Sequence, residues 1–204
     1  MDKEFYLTIE KSVTAEYRDR GSLFIGIAYP IKSTEEFKAR MVDVKKQHAK
    51  ATHHCFAYRL GIDENNFRSS DAGEPAGTAG KPILGQIDSR GLTDTLIVVV
   101  RYFGGTLLGV PGLIQAYKSA AAMALQLVPP VKKPVEKMVH LLFDYSKLNE
   151  ILSVLKATNS TVYSKELQLF CTMEVGIPAA RKSEVVYKLE AISSVQVQDV
   201  VAGK

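Results

Sequence analysis

The amino-acid sequence predicts an α+β protein of two domains, residues 1–130 and 131–204. Three observations carry this expectation. The 204 residues are 46% hydrophobic and 24% charged, the balance of a chain that folds around apolar cores. Glycine and proline divide it: nine of fourteen glycines run from Gly73 to Gly112, and Pro129, Pro130 and Pro134 follow as an extended, semi-rigid connector. Beyond those prolines the apolar period switches between 2 and 3.6 in the order β–α–β–β–α–β.

In the first domain, Phe5, Leu7 and Ile9 alternate with polar residues and predict a half-buried strand, and residues 23–29 a more buried one. Ser33 and Glu36 form a capping box, followed at helical spacing by Phe37, Met41, Val44 and His48. Residues 53–60 read as a strand, 68–82 as a glycine-rich loop and 82–90 as a short helix. The run from Thr95 to Val100 is apolar and β-branched without alternation, which predicts a central strand buried on both faces. Pro111 suits the first position of a helix reaching about Val128, whose alanines Ala116, Ala120, Ala121, Ala122 and Ala124 permit close packing on a sheet.

In the second domain, Val139, Leu141 and Phe143 predict a strand, and Leu148, Ile151, Leu152 and Leu155 a helix stripe. Period two returns near Val162 and through Leu167, Leu169, Cys171, Met173 and Val175. A helix near Pro178 buries Val185, Leu189 and Ile192, and Val195 and Val197 close with a strand. The order is the split-βαβ, ferredoxin-like plan, a scaffold that hosts many functions.

The net charge of +4 is spread evenly, +2 on each side of residue 130, too little to argue for nucleic acid on its own. No apolar run approaches the ~20 residues of a membrane-spanning helix, and the first residues lack the apolar core of a signal peptide. The expected compartment is the cytoplasm. Cys55 and Cys171 fall in different domains and outside any CxxC pair, so both are expected reduced and buried.

Two stretches concentrate the polar chemistry: SSDAGEPAGTAGKPIL (69–84) and RYFGGTLLGVPGL (101–113). Gly104 and Gly109 have the spacing of a phosphate-binding loop, yet Val110 and Pro111 stand where its lysine and hydroxyl residue belong, so nucleotide hydrolysis is not expected. His54 and Cys55 would diverge as neighbours on a strand; His53 and Cys55 would share a face. The histidines show no metal-ligand spacing, so neither metal nor cofactor is expected. The expected ligand or partner surface comprises Asp71, Glu74, Lys81, Arg101, Tyr102, Gly104, Gly105, His53 and His54. Asp71, Glu74 and Arg101 should meet at the surface, with Lys81 on the same rim.

HHCFAYRLG, SSDAGEPAGTAGKPIL and VVVRYFGGTLLGVPGLIQAY resemble the signature of the YigZ/IMPACT family over roughly residues 15–128. The resemblance implies a first domain like the second domain of small-subunit ribosomal protein five, and a second like the last domain of elongation factor G. It implies a translation-related regulatory or binding protein meeting the ribosome, RNA or a protein partner. The alternative is a small-molecule enzyme with its site between the Glu74 loop and the RYFGG turn. Leu107 and Gln115 replace cations usual in the family, and Ala72 replaces an acid, so weak nucleic-acid affinity is expected.

Overall fold

The computed structural model describes residues 3–63, 65–168 and 170–200, and the chain divides into two compact units, Tyr6–Lys133 and Met1–Phe5 with Pro134–Lys204. In chain order the elements are β1 (Phe5–Thr8), β2 (Val13–Asp19), β3 (Ser22–Pro30), α1 (Thr34–Gln47), β4 (His53–Arg59), β5 (Phe67–Ser70), α2 (Gly80–Ser89), β6 (Thr95–Tyr102), α3 (Gly109–Gln126), β7 (Val131–Pro134), β8 (Glu136–Phe143), α4 (Leu148–Ala157), β9 (Thr161–Glu166), β10 (Cys171–Pro178), α5 (Lys182–Glu190) and β11 (Val195–Asp199).

The Tyr6–Lys133 unit is organised by a five-stranded sheet in the order β2-β3-β6-β4-β5, antiparallel throughout. β6 is central, as its unbroken apolar run predicts. One face of the sheet buries Phe24, Ala57, Ile97 and Val99 with residues of α2 and α3. The other buries Ile25, Phe56, Val98 and Val100 with Phe37, Met41 and Val44 of α1. Ser33 caps α1, accepting from the Glu36 N–H at 3.2 Å. The small residues of α3 allow a very close approach: a methyl group on Gly26 of β3 would press on the Ala120 carbonyl.

Three expectations change in detail. β2 and β5 emerge where the sequence suggested no strand, and the proline-rich stretch contains β7, which pairs with β1. Pro111 and Pro82 are each third, not first, in their helices; both still lie among the first four positions, whose N–H groups lack intrahelical acceptors. His48 leaves the buried stripe of α1 to become its C-cap.

In the second unit β8, α4, β9, β10, α5 and β11 follow the expected order, and the sheet runs β11-β8-β10-β9, antiparallel throughout. Its core holds Val139, Leu141, Phe143, Ile151, Leu155, Met173, Val185 and Leu189. The strand expected through Leu167 begins only at Cys171, and Leu169 lies outside the described residues. Among the described residues no helix is long and apolar enough to cross a membrane.

Candidate functional site

β4 and β6 pair with His53 opposite Arg101 and His54 opposite Val100. Neighbouring strand residues point to opposite faces, so this register splits the expected site in two. His53, Cys55 and Arg101 share the face covered by α2 and α3. His54 and Tyr102 lie on the α1 face, where Tyr102 meets His48 Nδ1 at 2.9 Å and His54 Nε2–H donates to the His48 carbonyl at 3.1 Å. Burial lowers the His54 pKa. This second group fastens the end of α1.

The other face carries the charged cluster. Arg101 Nη1 donates to Glu74 Oε1 at 2.7 Å, and the Tyr117 hydroxyl donates to the same oxygen at 2.7 Å. His53 Nε2 stands 3.8 Å from that oxygen, while its Nδ1–H donates to the Ala72 carbonyl at 2.9 Å and fixes the ring. The Arg101 guanidinium lies 5.4 Å from the ring centres of both Phe24 and Phe103, an arrangement that combines cation–π attraction with desolvation. Glu74 and Arg101 do meet, but not at the surface: their side chains are 4% and 6% exposed. A paired carboxylate and guanidinium, further bonded by a tyrosine, tolerate burial that either alone would resist.

Asp71 lies beside this cluster and holds the glycine-rich loop. Its carboxylate accepts from the N–H groups of Gly77 at 2.8 Å, Ala79 at 2.9 Å and Gly80 at 2.8 Å, capping the start of α2 from a distance in sequence. Burial pushes its pKa up, but the three backbone donors and the charge of Lys81 outweigh it and hold the group below the usual value. A depressed folded-state pKa adds stability above the unfolded value of about 3.9, and that stability is lost as pH falls through the folded value. Asp71→Asn is therefore expected to cost about 1.5–3 kcal/mol at pH 7 in urea unfolding, with the difference from wild type shrinking below about pH 4. A difference that stays constant between pH 7 and pH 3 would remove the carboxylate's charge from the account.

Cys55 is fully buried, and its thiol donates to the Asp71 carbonyl at 2.9 Å. Burial, with the charges of Glu74 and Asp71, pushes its pKa up to about 12; burial, with Cys55 and Glu74 beside it, also raises Tyr117. Neither supplies a nucleophile near neutral pH. Cys171 is likewise buried, and neither cysteine is in a disulfide. Among the described residues no three His, Cys, Asp or Glu side chains gather as metal ligands.

Gly104 donates its N–H to Ser22 Oγ at 3.2 Å, and Gly105 is exposed with φ +88°. Lys81 is exposed near the start of α2. Sequence reasoning missed Tyr117 and Ser22. Tyr117 carried a signal: a lone tyrosine in a buried stripe of alanines and leucines needs a partner for its hydroxyl.

The Impact N-terminal domain family matches residues 20–125, more than half of the chain. The chain belongs to the IMPACT family. The IMPACT family member YigZ of Escherichia coli (strain K12) is 36% identical over 193 residues, 93% of this chain and 94% of that protein. The IMPACT family member YvyE of Bacillus subtilis (strain 168) is 36% identical over 151 residues, 74% of this chain and 70% of its own length. A crystal structure described as that of a hypothetical protein superposes with a TM-score of 0.77 at 33% identity, over 98% of this chain and 100% of that one. The family match falls inside the Tyr6–Lys133 unit and contains the Glu74–Arg101 cluster, whereas the likeness to YigZ extends through both units.

Proposed function

We propose that this IMPACT-family chain is a translation-related binding protein that docks on a protein surface of the ribosome through the RYFGG turn and the start of α3. The observation that carries the reading is a run of exposed apolar side chains: Phe103 at 47%, Leu107 at 81%, Val110 at 52% and Ile114 at 38% exposure. The last three recur at helical spacing around the start of α3. Exposed apolar side chains gathered on one turn and helix start favour a macromolecular contact. The glycine-rich loop, in this reading, is scaffold: Asp71 fastens it to α2, and Glu74 to the sheet and α3. Leu107 and Gln115 supply no cation for a phosphate backbone.

Co-sedimentation with ribosomes across a salt series tests the reading. Binding with a slope of log affinity on log salt near zero is expected, because an apolar contact releases few counterions. Leu107→Asp should weaken binding about tenfold or more without lowering the melting temperature. Free RNA should bind no better than the non-specific range of about 10⁻⁴–10⁻⁶ M. No ribosome binding, or steeply salt-dependent binding that Leu107→Asp leaves unchanged, would overturn the proposal.

A further inference from the structure

A cavity of about 410 Å³ opens in the Tyr6–Lys133 unit beside Asp94, at the opposite end of β6 from Arg101. This volume is within the range of about 300–1,000 Å³ typical of small-molecule sites. Its lining includes Ile9 and Ile31, 2% and 1% exposed, with Pro30 beside them, so part of the wall is apolar.

Two features make the wall more than apolar. Thr8 lines the cavity at 3% exposure, and its hydroxyl reaches only the Ile9 carbonyl at 3.4 Å and the Asp94 carbonyl at 3.5 Å. Both lie beyond the range of about 2.5–3.0 Å for a good O–H···O bond, so the buried hydroxyl makes only long bonds among the described residues. The charges are also unbalanced. Of the two acids in the lining, Glu10 pairs with Lys133 at 3.0 Å, and Asp94 Oδ1 accepts the Gly61 N–H at 2.8 Å. The side chains of Lys11 and Lys32, also in the lining, have no acidic partner among the described residues.

We propose that this cavity binds a small organic anion, a carboxylate or phosphate group on an apolar body. The apolar body packs against Ile9, Ile31 and Pro30. The Thr8 hydroxyl gives the anionic group a neutral donor, and Lys11, Lys32 and Lys133 outnumber Glu10 and Asp94 in the lining, which leaves one positive charge in excess. A cationic ligand would meet that excess positive charge as repulsion.

The test is methyl NMR of the full chain titrated with benzoate, with phenyl phosphate and with benzyl alcohol as the neutral counterpart. Saturable shifts of the Thr8, Ile9 and Ile31 methyl signals are expected with at least one anion, and benzyl alcohol should bind about tenfold more weakly or worse. The preferred anion identifies the head group. Lys11→Gln with Lys32→Gln, and separately Thr8→Val, should each weaken the preferred anion several-fold, while the spectra without ligand confirm that the fold is retained. Equal binding of benzyl alcohol, unchanged affinity in the double lysine variant, or no movement of these three methyls at millimolar anion would overturn the proposal.

Discussion

Arg101→Met is expected to destabilise the protein by about 3–5 kcal/mol, because it leaves the buried Glu74 carboxylate without its cation. Glu74 would keep the Tyr117 hydroxyl, and His53 Nε2 is 3.8 Å away, but its side chain is only 4% exposed and cannot recover solvation without opening the loop. Glu74→Gln should cost less, since the amide oxygen still accepts from Tyr117 and leaves Arg101 its flanking rings of Phe24 and Phe103. Combining Glu74→Gln with Arg101→Met removes both charges from the interior. The double variant should therefore be more stable than the sum of the two single losses predicts, by about 1–3 kcal/mol. Urea unfolding of the three variants and the wild type closes the cycle. Additive losses would mean that the 2.7 Å contact contributes no coupling in solution, and the view of the signature motif as a buried clasp would fail with it.

The strands and helices that bury most were the most legible in sequence. β6 announced its central place by lacking alternation, and α3 its close packing by its alanines. β2 and β5 escaped for opposite reasons. β2 alternates, but with Glu16, Arg18 and Asp19 on an edge strand it carries little apolar signal. β5 has four residues, none of them buried, inside a polar stretch. The site was half legible. The two-residue period of a strand is enough to separate His53 from His54 and Arg101 from Tyr102, so their division between two sheet faces was within reach. The burial of Glu74 was not. It depends on Arg101, 27 residues away, and on Tyr117, 43 residues away, reaching the same oxygen. No local pattern encodes that meeting; it follows from the registers of β4, β6 and α3.

Gly104→Ala is expected to cost about 3 kcal/mol or more, the upper end of overpacking penalties, because the new methyl group has only main chain to displace. β2 and β3 are joined by the two-residue turn Arg20-Gly21, with φ of +44° and +81°, the geometry of a tight type I′ hairpin. The RYFGG turn lies directly on this hairpin, glycine against glycine. A methyl group on Gly104 would overlap the Gly21 carbonyl group and the Ser22 nitrogen, and one on Gly21 would fall 2.9 Å from the Gly104 oxygen. Backbone cannot rotate aside as a side chain does, so the two turns must separate. Separation would break the Gly104 N–H bond to Ser22 Oγ and move Phe103 off the Arg101 guanidinium. Gly105→Ala is the internal control. Its φ of +88° disfavours a side chain, but a methyl group there meets nothing within 4 Å. Only the backbone penalty of about 1–2 kcal/mol should appear. Thermal and urea unfolding should rank the two substitutions in that order, with Ser22 and Arg101 amide signals displaced in Gly104→Ala and nearly unmoved in Gly105→Ala. Equal losses for both would mean that φ alone selects glycine at this turn, and that the hairpin beneath it sets no limit on how the RYFGG segment sits.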